Sequence, residues 1–303
     1  MSSTPALTLR TSLLLVVPPM LWAGNAITGR LINTLIPPMT LNFLRWALAL
    51  LLLLPIAHQV LARTSPLWAN WKRYALLGLL GVGIYNSMLY LALQTSTPIN
   101  VTLVASSTPM FMIATGALFF GQRVRAKQVL GSVLSVCGVL LVLCRGDWHT
   151  LMALHLVPGD VLVLVATAAW AWYSWLLAQP NQDPAEIRQN WAGFIVAQIV
   201  FGLGWAGAFS AGEWVWLDDP QIVWGWPLVL ALAYVAIGPS TFAYRCWGLG
   251  VQAVGPTVAG FFGNLTPVFA ASLSALMLGE SPQLYHLGAF VLIGGGIVMS
   301  SRR

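Results

Sequence analysis

Only 7% of the 303 residues carry a charge, against about 25% in soluble globular domains, and that scarcity excludes a water-soluble enzyme. Acid is scarcest of all. None of the eight Asp and Glu residues falls midway along a long apolar stretch. Intramembrane carboxylates are the usual proton relays and cation anchors of pumps. Their absence argues against a cation–proton antiporter built around one membrane glutamate. The cysteines number three (Cys137, Cys144 and Cys246), an odd count at or within apolar stretches, which suits packing better than a disulfide framework. His58, His149, His155 and His286 are scattered, so neither a metal nor any other cofactor is expected. A cleaved signal peptide is not expected either. The first apolar stretch runs past Pro18 and Pro19 to Gly29 without a small-residue cleavage site.

What is present is apolar: 58% of the chain. Ten stretches approach or exceed the roughly 20 residues that cross a bilayer. They cover 11–31, 39–61, 74–95, 98–120, 126–144, 159–178, 191–211, 227–249, 254–278 and 283–300. So little chain lies outside them that function must sit within the membrane. The net charge of +6 follows orientation. Arg10, Arg63, Lys72, Arg73, Arg123, Arg125, Lys127, Arg188, Arg302 and Arg303 fall on one side, with only Arg30 and Arg145 opposite. This positive-inside bias places both termini in the cytoplasm and removes any need for a nucleic-acid partner.

The stretches at 98–122 and 256–280 are copies of one another. At a constant offset of 158 they match at seven of 25 positions. The identities are Pro98/Pro256, Thr108/Thr266, Pro109/Pro267, Phe111/Phe269, Ala117/Ala275, Leu118/Leu276 and Gly121/Gly279. A proline-broken membrane segment at corresponding places in two halves points to a transporter's binding site. Ten spans divide into two sets of five, and five is odd, so the second set enters the membrane from the opposite face. The expected fold is all-α and integral to the membrane, two inverted five-helix repeats (1–151 and 152–303) around a central cavity. Echoes support the division: Leu21-Trp22-Ala23 against Ala169-Trp170-Ala171, and Gly131 and Gly138 against Gly288 and Gly295. Those glycines mark the fifth and tenth spans as closely packed scaffold.

The polar groups inside the spans supply the candidate site. Trp22 and Asn25 lie on the first span, Asn86 and Tyr90 on the third, and Ser106 on the fourth. Trp170 and Tyr173 lie on the sixth, Tyr244 on the eighth and Asn264 on the ninth. Each could instead serve as an interhelical hydrogen bond or as core packing. Ser106 and Asn264 stand at equivalent positions three residues before Pro109 and Pro267, the expected kinks and gates. A proline leaves an earlier carbonyl without its donor, so backbone and side chain together could line a cavity there. Arg45, two turns into the second span, reads as snorkelling or helix pairing near the interface. Arg245 reads either as an anion contact or as snorkelling inward. Tryptophans at the span ends, such as Trp68, Trp148 and Trp214, suit an aromatic belt. Trp172 and Trp175 read as lipid-facing or core, and the 213–226 loop is expected along the outer interface.

In order and spacing these pieces resemble the drug/metabolite transporter superfamily, in the branch with two EamA repeats. The residues that carry the resemblance begin with Leu21-Trp22-Ala23-Gly24-Asn25, Pro38 with Arg45, Ala92-Leu93-Gln94, Thr108-Pro109 and Gly121-Gln122-Arg123. In the second half they are Gly159-Asp160, Trp170-Ala171, Tyr173, Leu265-Thr266-Pro267 and Leu278-Gly279-Glu280. The chain departs from the family where Leu-Gly-Glu becomes Phe120-Gly121-Gln122, and where Asn190-Trp191 stands in the region matching Arg45. The resemblance implies a basket-like bundle whose cavity is lined by spans 1, 3, 4, 6, 8 and 9. It also implies alternating access and, in bacteria, export of amino acids and related metabolites across the inner membrane.

An aromatic, amide- and hydroxyl-bearing cavity without negative charge suits a neutral or zwitterionic solute with an apolar side chain. The leading reading is therefore a multi-pass inner-membrane exporter of aromatic or large apolar amino acids, acting as a monomer or weak homodimer in the lipid bilayer. An exporter of aromatic or cationic drugs is the alternative. A polytopic enzyme ranks last, because Asp218-Asp219 is the sole adjacent acidic pair and lies in a loop.

Overall fold

The computed structural model describes residues 7–96, 98–147, 149, 152, 155, 157–278 and 284–301. The sequence-stretch residues Trp148, Gly279, Glu280, Arg302 and Arg303 lie outside them. Among the described residues every regular element is helical. We label them α1 (Leu9–Leu31), α2 (Pro38–Ala57), α3 (Trp71–Thr95), α4a (Pro98–Ala105), α4b (Thr108–Phe119), α5 (Ala126–Leu143) and α6 (Pro158–Leu177). The rest are α7 (Trp191–Trp216), α8 (Trp226–Val254), α9a (Pro256–Gly263), α9b (Thr266–Leu278) and α10 (Leu284–Ser301). Nine helical segments among the described residues are long and apolar enough to cross a membrane, with α4a and α4b counted together over Asn100–Phe119.

The expected ninth crossing is in two pieces, α9a and α9b, of 8 and 13 residues. Neither alone reaches spanning length. The physical reason is proline: Pro267 has no N–H to continue the ladder, and a turn at Asn264 and Leu265 closes α9a instead. The fourth crossing breaks in the same way before Pro109. There the hydroxyls of Ser106, Ser107 and Thr108 each donate to the carbonyl three residues back, Ser106 to Leu103 and Thr108 to Ala105 at 2.6 Å. In α2, α6 and α8 a proline instead starts the helix, at or next to its first position. Gly121, at φ 63°, stops α4b by letting the N–H groups of Phe120 and Gln122 turn back to the Gly116 carbonyl.

The packing is reciprocal. α3 lies on α6 as α8 lies on α1, α3 crosses α7 as α8 crosses α2, and α2·α7 and α5·α10 pair each helix with its own counterpart. The α5·α10 seam is the tightest. A Cβ on Gly131 would stand 2.9 Å from the Gly296 carbonyl, and one on Gly296 would stand 2.7 Å from that of Gly131. In lipid, such small-residue approach drives association through packing and backbone contact. Two further equivalent elements are the π turns Leu79–Ile84 in α3 and Ala236–Phe242 in α8. Segments of this kind break helical regularity and recur at functional sites.

Side chains at the ends tie the bundle together. Glu213 on α7 accepts from the backbone N–H of Met39 and Thr40 at 2.9 and 2.8 Å, capping α2 with a negative charge where its dipole favours one. Asp160 caps α6 through the Val157 N–H and also accepts from Ser96 and Asn100. Trp175 is buried, its indole donating to the Met112 carbonyl at 2.8 Å, whereas Trp172 faces outward.

Candidate functional site

Trp170 on α6 is the hub of the molecule's centre and is only 2% exposed. Five rings surround it. Tyr85 stacks at 4.5 Å between centroids, Tyr173 tilts at 5.1 Å, and Trp22 meets it edge-on at 5.2 Å. Tyr244 and Trp247 close the cluster at 5.4 Å each. The rings come from four helices, α1, α3, α6 and α8, and α6 supplies both Trp170 and Tyr173 because residues three apart share a helix face. Offset and edge-on ring pairs are favourable beyond the area they bury.

A polar chain runs from this cluster across the bundle. The Tyr244 hydroxyl and the Asn86 amide both donate to the Gly81 carbonyl, within the π turn of α3. Asn86 also donates to the Tyr244 oxygen at 3.1 Å. Its own oxygen accepts from Arg45 Nη1 at 3.3 Å. The guanidinium then reaches Tyr90 OH at 2.7 Å, Ser240 Oγ at 2.8 Å and Asn25 Oδ1 at 3.4 Å. Tyr90 in turn donates to Asn25. Arg45 is 1% exposed, about 10 Å along α2 from its start. The snorkelling reading of Arg45 is therefore corrected: neutral acceptors on three other helices hold it inside, so its role is helix pairing and more.

Beside the aromatic cluster, between α6, α7 and α8, lies a cleft of about 70 Å³. Tyr173, Tyr244, Trp46 and Val82 are among its lining residues, with Gln198, Trp191, Arg188, Arg245 and Gln252. Gln198 accepts from Tyr173 OH at 2.9 Å. Arg245 lies over the Trp191 ring at 4.2 Å, so its charge faces both an aromatic ring and the cleft. At the basic end of the bundle, Asp183 is buried between Arg73 and Arg188, at 2.6 and 2.7 Å. Both guanidinium groups also donate to the last carbonyls of α6 and of the turn after it. Burial pushes the Arg188 guanidinium below its ordinary pKa, and Asp183 opposes that shift.

The structure thus brings Trp22, Asn25, Asn86, Tyr90, Trp170, Tyr173 and Tyr244 into one connected centre. Ser106 and Asn264 stand apart from it. They touch one another across the bundle, Asn264 Nδ2 donating to the Ser106 carbonyl at 3.2 Å and to Ser135 Oγ at 2.9 Å. Asn264 Oδ1 is buried there without a partner among the described residues. Pro109 and Pro267 are both buried beside these breaks. Gln198, Ser240 and Trp247 belong to the centre and were missed from sequence. A lone amide in the seventh apolar stretch was the signal available for Gln198.

The EamA-like transporter family matches the chain twice, over residues 9–144 and 157–302. The uncharacterized transporter YyaM of Bacillus subtilis (strain 168) is 24% identical, over 79% of this chain and 76% of that protein. An uncharacterized transporter of Archaeoglobus fulgidus is 24% identical over 97% and 98% of the two chains. The protein named aromatic amino acid exporter YddG of Ancylobacter novellus is 24% identical over 81% and 79%. A solved structure titled only as a crystal structure of protein superposes with a TM-score of 0.73 over 96% of both chains at 21% identity, a likeness of fold. Two matches that together span nearly the whole sequence place this multi-pass membrane protein in the EamA-like transporter family.

Proposed function

We propose that the protein exports small metabolites, foremost amino acids with aromatic or large apolar side chains, by alternating access across the inner membrane. The observation that carries this reading is the ring cluster about Trp170. Two of its rings, Tyr173 and Tyr244, line the cleft, and amide and hydroxyl groups flank the cluster. Rings cover an apolar side chain while the amides and the Arg45 region hold a polar head, the usual division of labour in a small-molecule site. The name of the YddG relative supports the same substrate class. The two repeats, divided near residue 151, rock about this centre, with the breaks before Pro109 and Pro267 as the points that yield. The basic bias supports an orientation with both termini in the cytoplasm. The family and the names of the relatives favour transport over catalysis.

The test is efflux from liposomes containing the full chain and loaded with a mixed panel of amino acids, other metabolites and aromatic cations, with and without a pH gradient. Phenylalanine-like solutes should leave fastest, in a way that does not need the gradient. Trp22→Ala should slow that efflux far more than Trp214→Ala, because Trp214 lies at the end of α7, 43% exposed and bonded to Thr40, away from the ring cluster. Equal slowing by the two variants, or no solute leaving faster than from protein-free vesicles, would end the proposal.

A further inference from the structure

We infer that Arg45 is the anchor for a carboxylate on the transported solute. This rests on the reading above and narrows it, because it makes the carboxylate, rather than the amine or the side chain, the obligatory group.

Guanidinium stays charged at any physiological pH, and taking an ion out of water costs several kcal/mol unless another charge answers it. Arg73 and Arg188 have such an answer in Asp183. Arg45 does not. Its four bonds go to a serine, a tyrosine and two asparagines, all neutral, and no carboxylate pairs with it among the described residues. Glu213, at the start of the same helix, already uses both oxygens on Met39 and Thr40. Those four bonds engage only Nε and Nη1. Nη2, the outer arm of the fork that grips carboxylates in pairs, has no acceptor among the described residues.

The acceptors also divide by helix. Asn86 and Tyr90 are on α3, whereas Asn25 is on α1 and Ser240 on α8, the two helices that pack on one another. When α8 of the second repeat rocks away from α2, and α1 shifts with the helix it packs on, Arg45 loses Ser240 and Asn25 and turns a bare fork toward the opening. A solute carboxylate then replaces two neutral oxygens with one charged group. Asn25 is the natural one to yield, since it is only half-buried and its 3.4 Å bond is the longest of the four. Trp22, nearly one turn away on the same helix, carries the bound solute's side chain onto the ring cluster. Arg45 therefore has two alternative partners: the neutral pair that closes this side, and the cargo.

The experiment compares three sets of radiolabelled solutes in the same liposomes: phenylalanine, phenylalaninamide (no carboxylate) and 3-phenylpropionate (no amine). Phenylalanine and 3-phenylpropionate should both move while the amide does not. Equal transport of the amide overturns the carboxylate inference and leaves the amino-acid reading intact. Transport of none of the three overturns both. Arg45→Gln should weaken phenylalanine binding by about tenfold to a hundredfold, the loss expected for a charge-assisted hydrogen bond. Arg45→Lys should lie between. Because Arg45→Gln could act by misfolding, Ser240→Ala supplies the opposite sign: removing a competing acceptor should tighten phenylalanine binding to the purified full chain. Weaker binding by Ser240→Ala, with the fold retained by circular dichroism, would refute the exchange of partners.

Discussion

The same helix crossing is built twice, once with apolar and once with polar contacts. In α3 the π turn sets Val82 against α7, where Gly202 is so close that a Cβ there would come within 2.5 Å of Val82 Cβ. At the same offset of 158, the π turn of α8 sets Ser240 against α2, and there it meets the guanidinium of Arg45. One crossing is closed by shape alone, the other by a charge on neutral oxygens. The first can only pack or gape. The second can change partners.

That contrast can be broken from several directions. The largest effect is expected at the basic end, where charge is fully answered. Asp183→Asn leaves Arg73 and Arg188 facing one another without their carboxylate and should destabilise by about 3–5 kcal/mol, read as a steep fall in melting temperature of the detergent-purified protein. Next comes the apolar crossing. Gly202→Val, or Gly78→Val against the Gln198 carbonyl, should cost about 1–3 kcal/mol by overpacking, with α3 and α7 forced apart. A melting temperature unchanged in both variants would show that the crossing is looser than described. The smallest loss is expected at the helix breaks. Asn264→Ala removes two hydrogen bonds but also a buried oxygen without a partner among the described residues, so about 1 kcal/mol should be lost. Efflux reduced far beyond that modest destabilisation would make the break itself part of the transport cycle.

Much of the architecture could be read from residue order. Long apolar stretches, the offset of 158 and the glycine spacings of the fifth and tenth spans foreshadow the helices, the repeated breaks and the α5·α10 seam. Tryptophan and tyrosine inside spans pointed to the ring cluster, since so large a group is placed mid-membrane to pack or to bind. Arg45 was legible as an intramembrane charge, but its surroundings were not. Ser240, its short-range partner, lies 195 residues away on a helix whose turn is widened by a π segment, and no local pattern announces that. Hydropathy also counts 254–278 as one stretch because it cannot register that Pro267 and a turn at Asn264 divide it. The Asp183 cluster was hidden for a related reason. A basic residue outside a span reads as surface charge until the fold wraps an acid around it.

Asn86 meets Tyr244, and Ser106 meets Asn264; each pair is separated by 158 residues, the spacing of the duplication itself. Positions on a two-fold axis face their own counterparts, so in a pair of identical subunits each would be obliged to match itself. Joining the two copies in one polypeptide lifts that obligation. An amide can then oppose a phenol, and a guanidinium can sit on one flank with nothing like it on the other. A passage with two unlike walls can grip a cargo with two unlike ends, and it can tell which end goes first.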